Sequence, residues 1–366
     1  MSELVLVTGG AGFIGSHLAD ELLAAGYEVR VLDSLVGQVH PGGVRPEYLD
    51  REVELIRGDV RDRSVVQAAL EDVGSVVHLA ARVGVGQSMY ELGEYSGANT
   101  AGTGVLLQAL LEREIGRLVV ASSMSIYGEG LYRDAAGEPV TDAARTREHL
   151  EDGEWDPAPG LRPVPTPEWK PPALTSVYAL TKYDQECMCL LWGSAYGVPT
   201  VALRLFNVYG PRQALSNPYT GVLAIFASRL LNRRPPLVFE DGKQRRDFVS
   251  VHDVARAIRL ALERDEAAGK AINVGSGRSV SVNEIALMLA RSLGSHIEPL
   301  VTGKARAGDI RHCFADVSLA RDVLGFEPEV ELEAGMEDLV EWLSSQEPDD
   351  HAEAAARELE LRGLTL

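Results

Sequence analysis

The sequence predicts an α/β protein: a doubly wound parallel sheet followed by a smaller mixed α/β domain. Three observations carry this. Short apolar runs alternate with helical patterns over residues 4–123. Those runs show little polar alternation, as strands buried on both faces require. A glycine-rich turn joins the first run to the first helical stretch, the opening of a βαβ rhythm. The strands read as LVLVTG (4–9), EVRVLD (28–33), VELIRGD (53–59), SVVHLAA (75–81) and RLVVASS (117–123). Between the first two lies the helical stretch IGSHLADELLAAG, which stops at Gly26.

The rhythm breaks over residues 128–175, which are rich in Pro, Gly and charge, with one short helix expected near TDAARTREHL. A segment of this length inside a compact domain is functional or mobile. It has no cysteine, so it is no thiolate zinc module, and a lid is the open reading. The pattern resumes with a helix in TSVYALTKYDQECMCLLWGSAYG and a strand and turn in VPTVALRLFNVYG. The domains are set at 1–205 and 206–345, with the chain free to cross back between them, and an acidic tail at 346–366. The tail is expected to be a solvated helix, an exposed appendage or an oligomer contact.

Bulk numbers narrow the function. The chain has 366 residues, 45% of them hydrophobic, enough for two packed domains. A net charge of −19 argues against a nucleic-acid partner, because such proteins carry a basic footprint. It also means that an anionic substrate must be met by local cations or helix N-termini. The three cysteines, Cys187, Cys189 and Cys313, have no metal-ligand spacing and form no disulfide framework, so a reducing cytoplasm and no metal are expected. No basic leader and no run of about 18 apolar residues is present, so neither export nor a membrane span is expected.

VTGGAGFIGSHL places Gly9, Gly12 and Gly15 between strand and helix, with Phe13 and Ile14 in the turn. The spacing suits a tight turn, close backbone approach to a pyrophosphate and a helix N-terminus aimed at its charge. This is the phosphate end of a Rossmann dinucleotide site. Asp33 closes the second strand where an acceptor for a ribose 2′-hydroxyl belongs, which favours NAD over NADP. Arg30, just before it, weighs the other way. Asp59 and Val60 follow the third strand, in position for adenine. Further on, Tyr178 and Lys182 lie four apart on one helix face. An ammonium beside a phenol stabilises the phenolate and lowers its pKa, as a general base needs.

With these residues the chain resembles the extended short-chain dehydrogenase/reductases that act on nucleotide sugars. The resemblance spans about residues 3–345 and rests on TGGAGFIG, HLAA, SSMSIYG, SVYALTK, RLFNVYGPRQ, RRDFVSVHDV and NVGSG. It implies NAD as cofactor, with Leu79, Ala80 and Ala81 along it and Asn99 near the nicotinamide; a helix N-cap is the other reading of Asn99. It implies that Ser123, four residues before Tyr127, completes a triad with Tyr178 and Lys182, although a serine capping the strand end would look the same. It also implies a homodimer through the Tyr178 helix.

The two residues after Ser123 discriminate among the family's reactions. Related 4,6-dehydratases carry Asp and Glu there, and related decarboxylases keep a Glu. This chain has Met124 and Ser125. A thioether moves no protons and an unaided hydroxyl is a poor acid or base, which leaves hydride chemistry alone and a 4-epimerase as the expectation. The resemblance further places Ser125 on substrate, Asn207, Arg246 and Arg306 on its diphosphate, Phe239 against its base, and Cys313 as a size gate beside the hexose; ordinary ion pairs for the two arginines, a core aromatic for Phe239 and a plain buried cysteine for Cys313 are the other readings. PRQALSNPYTGVLAIFASRLL and the long insertion look like those of bacterial dTDP-L-rhamnose 4-epimerases. UDP-glucose or UDP-glucuronate 4-epimerase, a reductase of an NDP-4-keto sugar, and a non-catalytic NAD sensor are the alternatives.

Overall fold

The computed structural model describes residues 2–215, 221–306, 308–346 and 352–365. Residues 216–220 of the PRQALSNPYTGVLAIFASRLL stretch and 347–351 of the tail lie outside the described residues. The main sheet has seven strands, all parallel: β1 (Leu4–Thr8), β2 (Glu28–Asp33), β3 (Glu54–Arg57), β4 (Ser75–His78), β5 (Arg117–Ser123), β6 (Thr200–Leu205) and β7 (Ala271–Val274). Their spatial order is β7-β6-β5-β4-β1-β2-β3. The third and fourth strands are shorter than the apolar runs 53–59 and 75–81. Residues 58–59 and 79–81 leave the ladder at the strands' C-terminal edge, where ligand clefts form in such sheets.

The helices that matter here are α1 (Phe13–Ala24), α2 (Arg63–Ala69), α3 (Gly102–Leu110), α4 (Val177–Tyr196), α5 (Val222–Leu231), α6 (Val251–Glu263), α7 (Val282–Ser292), α8 (Leu332–Leu343) and α9 (Ala352–Leu361). Strand alternation splits the core in two. Val5, Val7, Val29 and Val31 pack with Leu18 of α1 and Val254 and Ile258 of α6, while Leu6, Leu32 and Val76 face Val66 of α2 and Leu106 of α3. Both faces are therefore covered, which is why the strand sequences read as nearly unbroken apolar runs. A third core joins Phe226 of α5, Leu289 of α7 and Met336 and Leu339 of α8 into a second lobe. Residues 251–274 fall within the 206–345 stretch, yet α6 packs on α1 and β7 pairs with β6 in the main sheet.

The insertion is tied down. It forms a small antiparallel sheet (Leu131–Arg133, Pro139–Val140, Arg162–Val164) and a short helix, Arg147–Glu151. Arg145 pairs with Glu129 at 3.1 Å and Glu240 at 2.6 Å, and Arg311 pairs with Glu240 at 3.1 Å and Asp241 at 2.6 Å. Both guanidiniums are almost wholly buried, and Lys170 donates to the Tyr127 carbonyl at 2.6 Å. These buried contacts make the segment a clamp between the lobes rather than the lid that its composition allowed. Nor is the tail a fully solvated helix. Ala352, Ala355, Ala356 and Leu359 of α9 share one face, and Ala355 and Leu359 are buried. Among the described residues, no helix is long and apolar enough to cross a membrane.

Candidate active site

The strand order reverses between β1 and β4, and a cleft of about 490 Å³ opens there at the strands' C-terminal ends. Gly9, Gly12, Phe13, Ile14, Gly15, Asp33, Asp59, Val60, Leu79, Ala80 and Ala81 line it, with Ser123, Tyr178 and Lys182. The glycines are sterically required. Gly9 sits at φ +71°, where a Cβ would come within 2.8 Å of the Ala80 nitrogen; one on Gly15 would lie 2.4 Å from the Gly10 Cα. Helix α1 starts at Gly12 with no side-chain cap, so its first amides stay available to an anion in the cleft. This cradle fits a dinucleotide pyrophosphate.

At the cleft's far end the Asp33 carboxylate accepts the Ala11 amide at 3.1 Å and the Leu35 amide at 2.9 Å. It is thereby fixed as an acceptor. Arg30 turns away: its guanidinium pairs with Glu54 at 2.7 Å and donates to the Ala69 carbonyl at 3.1 Å, so it offers no charge to a 2′-phosphate. Asp33→Ser should weaken NAD binding about tenfold and narrow the margin over NADP, as cofactor titration would report. Asp59 is already bound by Arg61, whose side chain donates to it at 3.0 and 2.8 Å. That bond, against a smaller cost of burial, holds the carboxyl below its usual range.

Asn99 does not cap a helix. It lies inside a π-helical turn (Ser96–Ala101), fully buried and not at a helix start. Its amide accepts the Arg82 N–H at 2.6 Å and donates to the Arg82 carbonyl at 3.0 Å and to Thr181 at 2.9 Å. It therefore pins the loop after β4 to α4 and does not line the cleft.

The catalytic end forms where β5 stops. Ser123 caps the turn Met124–Tyr127, accepting from the Ser125 N–H at 3.2 Å and the Ser125 hydroxyl at 2.9 Å. Capping and catalysis are compatible, because Ser123 and Tyr178 line the same cleft. Burial pushes the Tyr178 phenol up, and the Ser123 bond acts against it. The expected lowering by Lys182 is not what this arrangement delivers. Lys182 donates instead to the Gln185 amide at 2.8 Å, one step of a buried polar network. Gln185 continues it to Thr103 at 2.8 Å, and His78 bridges Thr8 at 2.7 Å and Thr103 at 2.9 Å. Burial lowers His78 to about 3, so it stays neutral. Sequence reasoning missed His78, Thr103 and Gln185; the visible signal was a histidine inside a buried strand.

Burial lowers Lys182 from 10.5 to about 8. The unfolded chain then binds more protons between those values, so the Lys182 contribution to stability rises as pH climbs through that window. Lys182→Met should flatten this alkaline rise in urea unfolding. An unchanged slope would show that Lys182 is not held as described.

A second cavity, of about 270 Å³, adjoins the first through Met124, Ser125 and Asn207. The Asn207 and Gln244 amide oxygens are buried there with no hydrogen-bond partner among the described residues, as befits polar handles for a ligand. Arg306 lies 4.5 Å over the Phe239 ring and pairs with Asp309 at 2.8 Å. Arg246 donates to the Arg311 carbonyl at 3.0 Å and faces Asp309 at 3.5 Å. Burial resists the Asp309 charge, but Arg306 and Arg246 outweigh it and hold the carboxyl down to about 2. Cys313 is placed as a plain buried cysteine would be. It packs with Met124, Ile126, Tyr127 and Phe206, lines neither cavity, and burial pushes its thiol up to about 12.

Among the described residues lining this second cavity, the ionisable groups are Arg246, Arg306 and the ion-paired Asp309. No group of three His, Cys, Asp or Glu among the described residues is placed to hold a metal ion.

Comparison with known proteins agrees with this geometry. Residues 5–275 match the model of the NAD dependent epimerase/dehydratase family. The chain is 38% identical over 347 residues to a dTDP-L-rhamnose 4-epimerase of Burkholderia thailandensis, covering 93% of this chain and 95% of that protein. Among solved structures, the UDP-glucose 4-epimerase of Thermotoga maritima with UDP-glucose superposes with a TM-score of 0.77 at 32% identity, covering 93% of this chain and 98% of that one. The UDP-glucuronic acid 4-epimerase of Bacillus cereus, in complex with UDP-glucuronic acid and NAD, gives 0.76 at 28% identity, covering 93% and 99%. The chain belongs to the NAD dependent epimerase/dehydratase family.

Proposed function

We propose that the chain is an NAD-dependent nucleotide-sugar 4-epimerase and that its substrate is dTDP-L-rhamnose. The observation that carries the reaction type is that Ser123, Tyr178 and Lys182 line one cleft next to the junction formed by Met124 and Ser125, which supply no further acid or base. Elimination of water or loss of carbon dioxide needs such a group; inversion at C4 needs only the hydroxyl proton moved and a hydride exchanged. The cleft would hold NAD, which would supply reversible hydride transfer at C4. Tyr178 takes the proton from the C4 hydroxyl and returns it after the 4-keto sugar has turned over. Ser123 holds the reacting oxygen, and Lys182, which lines the cleft, would hold the cofactor ribose. Asn207, Arg246 and Arg306 anchor the diphosphate during that turn, Phe239 supports the base, and Ser125 borders the sugar. Orientation and fixed charge are the protein's contribution.

The sugar assignment draws on the Burkholderia relative and on PRQALSNPYTGVLAIFASRLL. A homodimer through α4 fits its exposed outer face, where Leu180 is 52% and Leu191 71% accessible. Three free thiols fit a reducing cytoplasm. The test is incubation of the purified protein, without added reductant, with dTDP-L-rhamnose, UDP-glucose or UDP-glucuronate, followed by proton NMR. A C4 epimer of the first without accumulating NADH supports both assignments. An epimer of a UDP sugar alone moves the substrate, and turnover only of a 4-keto sugar with added NADH would replace epimerase by reductase.

A further inference from the structure

Helix α9 has no part in the triad, the cofactor cleft or the diphosphate anchors, yet it closes one side of the sugar cavity. Ala352, Ala355, Ala356 and Leu359 line that cavity. Its two ends are fastened to different parts of the molecule. Glu353 meets the almost fully buried Arg229 of α5 at 3.4 Å, and Glu360 meets Lys304 at 3.1 Å. Arg362, just past its end, lies 4.2 Å over the Tyr90 ring. Leu359 rests on Gly86, where a Cβ would come within 3.2 Å of the leucine. The same segment carries Ser88, whose hydroxyl accepts the Tyr178 amide at 3.0 Å. Leu359 therefore stands on the side of the cavity formed by the Gly86–Ser88 segment, which leads to Tyr178.

Val85, Gly86, Met89, Met124 and Leu359 line that side, with the hydroxyls of Ser125, Thr175 and Ser176 also in the cavity wall, and none of these carries a charge. The cavity's two guanidiniums, both beside Asp309, are the ones assigned above to the diphosphate. A carboxylate on the sugar would lose its water there without gaining a cation, which is costly, whereas a methyl group would gain by burial.

We infer that α9 is the outer wall of the sugar subsite and that Leu359 makes it select 6-deoxyhexoses over hexuronic acids. This rests on the nucleotide-sugar reading above. Binding to the full-length holoenzyme would be measured by calorimetry with dTDP-linked 6-deoxyglucose, glucose and glucuronate, which differ only at C6, and with dTDP-L-rhamnose. Wild type should bind the 6-deoxy sugars at least about tenfold more tightly than the glucuronate. Leu359→Arg should lose about tenfold for the 6-deoxy sugars and narrow or reverse that ratio. Leu359→Ala, which keeps a strong helix former, should weaken only the 6-deoxy sugars, by about threefold, without improving the glucuronate. Bound NAD should be unchanged in both. Equal affinities across the C6 series, or variants that bind all sugars as wild type does, would overturn the inference. Selective binding without epimerisation would instead refute the proposed reaction and leave the wall standing.

Discussion

Tyr178→Phe folds, keeps its NAD, and loses about a thousandfold or more in turnover. The ring stays because its packing does not depend on the hydroxyl: it meets Tyr95 edge-on at 6.5 Å, and its backbone amide still reaches Ser88. What disappears is the hydroxyl that the proposed mechanism uses to carry the C4 hydroxyl proton. Neither Met124 nor Ser125 can replace it, and Asp309 is held ionised by two arginines. Loss should fall on kcat, with nucleotide-sugar affinity nearly unchanged, because the diphosphate anchors are untouched. Steady-state kinetics with a cofactor assay on the same sample separates these effects. Activity near wild type would mean that the proton leaves by another route.

Arg145→Met unfolds far more readily than its surface neighbour. Arg145 lies in the insertion, buried between Glu129 and Glu240, and Glu240 itself has no exposed side-chain surface. Removing the guanidinium leaves buried carboxylates with part of their compensation gone, at a cost of about 3–5 kcal/mol. Arg147, two residues on, pairs with Glu151 in the open at 2.7 Å, and Arg147→Met should cost under about 0.5 kcal/mol. Urea unfolding of the two variants compares them directly. Arg145 also donates to the Asp309 carbonyl at 2.7 Å, so the folded remainder should bind the nucleotide sugar more weakly, through Arg306 and Arg246. Equal stabilities for the two variants would contradict the clamp.

What the sequence made legible was local. The glycine turn, the acidic residue closing β2 and the Tyr178–Lys182 spacing all encode geometry within a few residues, and the cleft assembles around them. Contacts between distant segments were not legible. Lys182 reaches Gln185 because His78 and Thr103 complete a network from two other elements. Asn99 clamps the loop after β4 because Thr181 approaches from α4. Cys313 turns inward to pack with residues near 124–127 and 206. The insertion looked loose by composition, but arginines 145 and 311 bury their charges against Glu240, 95 and 71 residues away in sequence. The face of α9 was readable from its alanine and leucine spacing; the cavity it covers was not.

The central claim is that one face of the sugar loses a hydride at C4 and the other face receives the same hydride back. dTDP-L-rhamnose carrying deuterium at C4, incubated with the holoenzyme in ordinary water, tests it most directly. The account predicts that the epimer keeps its deuterium at C4, because the label passes only between sugar and cofactor. Product with hydrogen at C4 would mean exchange with solvent, and the mechanism built on Tyr178, Ser123 and NAD would be wrong.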